Sequence, residues 1–354
     1  VAAFDHRHVF IDPSPDPAVS FAERQRLFEL PRSSWADYDA SLISAGGGVW
    51  PRTAKSIPLS PEIAAALGVT AAALAPTDLM RAILRAPVDL LWNGGIGTYV
   101  KGHAESATDV GDRANDAIRV DGRDLRCRVV GEGGNLGFTQ LGRLEFALAG
   151  GHINTDALDN SAGVDTSDHE VNIKILLDSA ARSNQLDAAE RGPLLASMTD
   201  EIGGLVLRDN YAQNLCLACS QAQAGSMLHV HAAYIDWLEK GGHLVRGLEH
   251  LPDSEAIAER RAAGLALTRP ELAVLLAYSK ITTTQEIVAS ALPDDAFAHA
   301  ALVDYFPTAL RERFADTMAE HPLRREIIAT QLANQLVNYS GITFHALANT
   351  TNTL

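Results

Sequence analysis

The segment Val129-Val-Gly-Glu-Gly-Gly-Asn-Leu-Gly137 has a glycine spacing that lets backbone come close to a phosphate or a flat ring. An apolar run, 126–130, leads into it, and a helical segment from Thr139 to Ala149 follows. Strand, glycine turn and helix in that order are the plan of the dinucleotide fingerprint G-x-G-x-x-G. Gly131, Gly133 and Gly137 depart from it by one residue at the last spacing. Asp156, downstream at a plausible strand end, would supply the acidic residue that such a fingerprint requires. The local pattern therefore leaves the fingerprint open. A second turn, Asn93-Gly-Gly-Ile-Gly97, follows the apolar run Asp89-Leu-Leu-Trp92. Ligands of open α/β sheets bind at the C-terminal ends of strands, where both turns fall, although such loops are also glycine-rich for packing reasons.

A third feature sets the order of the sheet. The opening run FDHRHVFIDPSPDP reads as a short strand ending in Asp12. In the second strand of a Rossmann half, such a carboxylate accepts from the adenosine ribose hydroxyls and repels a 2′-phosphate, which selects NAD over NADP. The plainer alternative is an aspartate that starts the turn SPDP. That acidic residue follows its glycine fingerprint by about 20 residues, so the ribose assignment puts the pyrophosphate loop upstream of Val1. The 131–137 turn then belongs to the second half of the sheet, near the nicotinamide. Its position in the chain, not its spacing, argues against a pyrophosphate role.

Other chemistry-bearing residues are less telling. Within Asp159–Glu170, Thr166 or Ser167 could cap a helix running from about Asp165 to Ala181, whose free N–H groups would suit a substrate carboxylate. Asp165, Asp168 and Glu170 already supply negative charge there, so spacing alone favours an ordinary helix start. His169-Glu170 would need a second histidine where Ile173 stands to form HExxH. His229 and His231 fall on different helix faces, and Cys216-Leu-Ala-Cys219 lies in a helical run without a second CxxC, which predicts a buried helical pair. No metal site is expected.

The elements that must position these residues divide the chain in two. Up to about residue 165, strand-like runs at His8–Ile11, Val88–Trp92, Arg126–Val130 and His152–Asn154 alternate with helical stretches, which predicts a largely parallel sheet. Residues 31–61 read as a long loop with room for a small hairpin; Ser60-Pro61 and Thr77 read as helix starts. Beyond, the pattern is helical: Leu194–Gln223, Met227–Lys240, Thr268-Arg-Pro-Glu271 capping LAVLLAYSKI, Ala309–Ala319 and Leu323–Tyr339. Breaks are expected at Gly192-Pro193, Gly241-Gly242, Leu251-Pro252, Leu292-Pro293, Phe306-Pro307 and His321-Pro322, and the polar tail NTTNTL is expected to fray.

At 354 residues with 47% hydrophobic content, the chain can fill two or three cores. A net charge of −15 argues against binding nucleic acid or an anionic membrane surface. No apolar run is as long as a bilayer span, and only three cysteines are present, which suits a reducing cytoplasm.

Several runs, among them FDHRHVFIDPSPDP, LLWNGGIGTYVK, VVGEGGNLGFTQLGRLEFAL, DNSAGVDTSDHEVNIKILL and LTRPELAVLLAYSKI, together resemble the large class of bacterial NAD-specific glutamate dehydrogenases. The small hexameric glutamate dehydrogenases are more distantly similar. The resemblance implies an incomplete Rossmann-type parallel sheet in a partial NAD-binding domain, 1–182, followed by an all-α C-terminal domain, 183–354. It also implies oxidative deamination of L-glutamate to 2-oxoglutarate and ammonia, with hydride transfer to NAD, in a cytoplasmic homo-oligomer. Glu132-Gly-Gly-Asn135 matches the family's EGAN loop, which gives Asn135 a contact at the nicotinamide end. Asn160-Ser-Ala-Gly-Val-Asp-Thr-Ser167 matches NAGGVxxS. That match assigns Asn160 to the cofactor and Ser167 to the side-chain carboxylate of glutamate, against the ordinary helix-start account. Asn93, where the small enzymes have proline, and Gly94 are placed at the cofactor. Leu136-Gly137 replaces Gly-Pro, and Asp168-His169 replaces an aromatic pair. The family's catalytic lysines and aspartate precede its Rossmann domain, and Lys55, Lys101 and Lys174 do not match them, so no catalytic residue is assigned here. Two rivals remain: another amino-acid dehydrogenase of the same superfamily, and a non-catalytic oligomerisation or regulatory module on a degenerate nucleotide-binding fold.

Overall fold

The computed structural model describes residues 1–344, so the polar tail lies outside the described residues. The chain forms two compact units, Val1–Asp156 and Ala157–Leu354, an α/β part followed by an all-α part. In the first unit the order is β1 (Ala2–Phe4), β2 (His8–Ile11), α1 (Pro17–Glu29), β3 (Gly48–Pro51), β4 (Ile57–Pro58), α2 (Pro61–Leu67), β5 (Ala73–Leu74) and α3 (Pro76–Leu84). Then follow β6 (Leu90–Asn93), β7 (Val100–Lys101), α4 (Ala107–Val110), β8 (Val120–Asp121), β9 (Val129–Glu132) and α5 (Gln140–Leu148).

The sheet is not largely parallel. β2 is the centre of an antiparallel sheet in the order β1-β2-β3. The cause is local: Asp5 accepts from the Arg7 and His8 amides at 2.7 Å each, closing a tight turn that folds β1 back on β2 without a crossover. Alternation along β2 sends Val9 and Ile11 into a core with Ile57, Ile63 and Leu79, and Phe10 to the other face against Leu27 and Tyr38. The expected hairpin within 31–61 is replaced by longer-range pairing, since β3 joins β2 and β4 joins β5. Parallel pairing does occur between β6 and β9 and between β7 and β8, and His152 adds only a single parallel bridge to Val129.

Helix starts follow side-chain chemistry where it is present. Ser60 accepts from the Ile63 amide and Thr139 from the Gly142 amide, capping α2 and α5. Thr77 is not a cap; α3 begins at Pro76, whose missing N–H suits a first helical turn.

The second unit is helical: α6 (Asp156–Asp159) runs across the division, followed by α7 (Ser161–Arg182), α8 (Ala188–Ser197), α9 (Thr199–Lys240), α10 (Ser254–Ala262), α11 (Arg269–Ala289), α12 (His299–Tyr305), α13 (Thr308–Ala319) and α14 (Arg324–Ser340). Gly192-Pro193 is not a break, because Pro193 sits inside α8. The two helical runs expected around Gln223 and Met227 are one continuous helix, the 42-residue α9. Its start packs Ile202 on a core around Leu302, Phe306 and Phe314, and its far end buries Tyr234, Ile235 and Leu238 with Leu272 and Leu275. Of the CxxC pair, Cys216 is buried and donates to the Val337 carbonyl at 3.4 Å, but Cys219 is exposed.

His231, 2% exposed on α9, has no partner for its Nδ1 among the described residues, and burial pushes its imidazole down to about 4, with His229 adding to the shift. An imidazole lowered on folding binds its proton more readily in the unfolded chain, so the stability it permits is complete above the free value and falls between pH 6.5 and about 4. The loss across that window is expected to reach about 3 kcal/mol. Urea unfolding at pH 7.5 and 4.5 should show it, and His231→Gln should shrink the difference; an undiminished pH dependence in that variant would refute the assignment.

Candidate functional site

Because β6 and β9 are parallel neighbours, in register from Leu90 with Val129 to Asn93 with Glu132, both glycine turns leave the sheet at one edge. The turns grip each other: the Gly134 amide donates to the Asn93 carbonyl at 3.0 Å. A Cβ on Gly134 would stand 2.5 Å from the Gly95 carbonyl oxygen, and one on Gly137 would collide with the Asn93 amide group. Gly131 and Gly133 have a different partner. The Trp92 indole lies across both, within 2.7 Å of where their side chains would begin. These glycines therefore admit an indole and a neighbouring turn, which explains a fingerprint-like spacing without a pyrophosphate. At the mouth, Gly94, Gly95 and Asn135 are exposed, and the Asn93 side-chain Nδ2 is buried with no hydrogen-bond partner among the described residues.

Beneath the 131–137 turn lies a buried charge network. Glu132, 0% exposed, takes a forked pair of hydrogen bonds from Arg143 on α5, Nε at 2.7 Å and Nη2 at 2.9 Å, and a third from the Phe138 amide. Arg143 also reaches Asp156 at 3.1 Å, and Asp156 accepts from the Leu136 amide at 2.8 Å. Asp156 thus holds the turn in place rather than serving as a distant ribose acceptor. Arg143 carries no motif of its own; the only sequence signal was a basic residue on the inward face of the helix that follows the turn.

Asp12 closes a different loop. It is 1% exposed, its Oδ1 accepts from the Ser44 amide and hydroxyl, and its Oδ2 is buried without a partner among the described residues.

In the second unit, α7 begins four residues earlier than Asp165. Asn160 occupies the cap position without a capping side-chain bond, and Thr166 donates its hydroxyl back to the Ala162 carbonyl at 2.7 Å, as interior helix residues do. Ser167 is exposed, but it lies beyond the first turn, so it does not cap the helix and gains little from the helix dipole. On the buried side of α7, Asp165 and His169 are one turn apart and meet Asp209 of α9. Burial raises the Asp165 carboxyl to about 6 and also raises Asp209, while burial lowers the Lys280 ammonium to about 8 against the pull of Cys216, Asp209 and Asp165. Asp168 points elsewhere, accepting from the Tyr305 hydroxyl at 2.8 Å and from Asn172.

The sequence that builds these interlocked turns and the helical unit matches two family models. Residues 1–220 match the model for the catalytic domain of bacterial NAD-glutamate dehydrogenase, and residues 264–353 match that for the glutamate dehydrogenase C-terminal region. The chain belongs to the bacterial NAD-glutamate dehydrogenase family. It is 58% identical over 350 residues to the NAD-specific glutamate dehydrogenase of Mycobacterium tuberculosis, covering 97% of this chain and 22% of that protein. The enzymes of the same name from Pseudomonas aeruginosa and Halomonas elongata are 56% and 51% identical over 344 residues, covering 97% of this chain and 21% of each. The chain spans about a fifth of the length of these curated relatives.

Proposed function

We propose that this chain forms part of an NAD-dependent glutamate dehydrogenase that converts L-glutamate to 2-oxoglutarate and ammonia. The observation that carries this reading is 51–58% identity to enzymes of that name across 97% of the chain. The NAD-binding part is read as a Rossmann-type fold extending through residue 182, with the helical C-terminal domain from 183. NAD accepts the hydride when bound; the chain's own share is to orient it and to place charge.

The residues fit that task at the paired turns. Asn93 Nδ2 is an unused buried donor beside an exposed glycine mouth, suited to a carboxamide or ribose oxygen. Gly94 lets the ligand approach the backbone, and Asn135 contacts the nicotinamide end. Asn160 contributes to the cofactor, and the Ser167 hydroxyl donates to the distal carboxylate of glutamate. For Asp12, the remaining Oδ2 is the acceptor for a ribose hydroxyl, reachable once the segment carrying Ser44 gives way. The three free cysteines support a cytoplasmic setting, and a homo-oligomer is the expected assembly.

The test uses the full-length enzyme. A hydrogen bond to a charged group contributes enough that Ser167→Ala should lower kcat/KM for glutamate about 10- to 100-fold. Asn93→Ala should weaken NAD about tenfold, as loss of one neutral hydrogen bond does. Unchanged glutamate turnover in Ser167→Ala would reject the substrate assignment.

A further inference from the structure

We propose that Asp165, His169 and Asp209 form a binding site for a divalent transition-metal ion in the helical unit. Asp165 and His169, four residues apart on α7, project from one helix face, and Asp209 reaches them from α9. One ligating atom from each lies within 4.8 Å of the other two. Donors around a metal at about 2.0–2.2 Å stand roughly 3–4 Å apart, so modest side-chain rotation closes the set onto an ion.

His169 gives the independent sign of a missing ligand. It is 2% exposed and stacked on the Tyr305 ring at 4.3 Å, so it cannot swing out to solvent. Its Nδ1 has no hydrogen-bond partner among the described residues, and its Nε2 stands 3.9 Å from Asp165 Oδ1, beyond hydrogen-bonding distance. Neither ring nitrogen is hydrogen-bonded among the described residues, and Nε2 is the one that faces a carboxylate across a gap, so an ion bound at Nε2 would give this buried imidazole a polar partner. Lys280 and Arg208 are the competing cations. Lys280 is hydrogen-bonded to Gln213 at 3.4 Å and lies in the field of both carboxylates, and Arg208 lies in that of Asp209, while Asp168 adds a third carboxylate to the field at Asp165. One imidazole with two carboxylates suits zinc or manganese better than calcium or magnesium, which prefer all-oxygen shells. The sequence concealed this site because its third ligand lies on another helix.

The test is calorimetric titration of the 354-residue chain with Zn²⁺ at pH 7.5, together with Co²⁺ absorption spectra. One equivalent is expected to bind with micromolar or tighter affinity, and Zn²⁺ should raise the melting temperature. Asp209→Asn and His169→Gln should each weaken binding by at least about tenfold, and Lys280→Met should strengthen it. Circular dichroism establishes that each variant is folded; should His169→Gln fail to fold, Asp165→Asn takes its place. Absence of binding, equal affinity in Asp209→Asn, or a cobalt–thiolate charge-transfer band from Cys216 or Cys219 would overturn the proposal.

Discussion

Arg143→Ala is expected to destabilise the first unit by about 3–5 kcal/mol, the cost of stranding a buried charge. Glu132 is 0% exposed and Arg143 only 6% by side chain, so water cannot replace the lost guanidinium. Arg143→Lys keeps the charge but not the fork, and should fall between wild type and alanine. A double change to Glu132→Gln and Arg143→Met, which removes both charges, should recover part of the loss. Urea unfolding followed by tryptophan fluorescence measures this, since Trp35, Trp50 and Trp92 all belong to the first unit. A loss below about 1 kcal/mol, the range of exposed ion pairs, would mean that the network does not hold the turn. Because Arg143 also ties Asp156, which in turn holds the Leu136 amide, loosening of the 131–137 turn should accompany the loss of stability.

Arg260→Ala should have an effect of the same size in the helical unit. Glu271, 0% exposed in the first turn of α11, receives both ends of the Arg260 guanidinium at 2.7 and 2.8 Å. It also accepts from the Thr268 amide at 2.6 Å and the Thr268 hydroxyl at 2.7 Å. The capping box is therefore anchored by a salt bridge from α10, and removing Arg260 leaves the carboxylate buried with only its capping partners. A loss of about 3–5 kcal/mol is expected, against about 1 kcal/mol for Thr268→Ala, which removes a single cap. Denaturant midpoints of the two variants decide it: equal costs would mean that Arg260 contributes no more than an ordinary surface contact.

The local signals were legible in the sequence where a single residue type enforces a geometry. Ser60, Thr139 and Thr268 start helices as their side chains dictate, and the apolar runs before Asn93 and Gly131 are strands. Pairing was less legible. His8–Ile11 reads the same whether its neighbours are parallel or antiparallel, and the choice was made by the Asp5 turn and the return of β3. The glycines at 131 and 133 misled for a related reason, since glycine records that something comes close without recording what, and here it is Trp92. Arg143 and Asp209 were hidden because their partners are distant along the chain or on another helix, and no spacing rule connects them. The roles proposed for Asn135, Asn160 and Ser167 come from the family resemblance alone, because no local spacing rule implies them.

The helix α9 touches one core near Ile202 and another near Tyr234, with no break in its 42 residues. Each residue turns a helix by about 100°, so the faces at its two ends are locked in phase. A single inserted residue between them would rotate every later side chain off its core, whereas most single substitutions at exposed positions between them would leave that phase intact. The exposed positions in the middle of α9 should therefore tolerate changes of residue type while the helix rejects changes of length, and Asp209 keeps its aim at α7 by the same count.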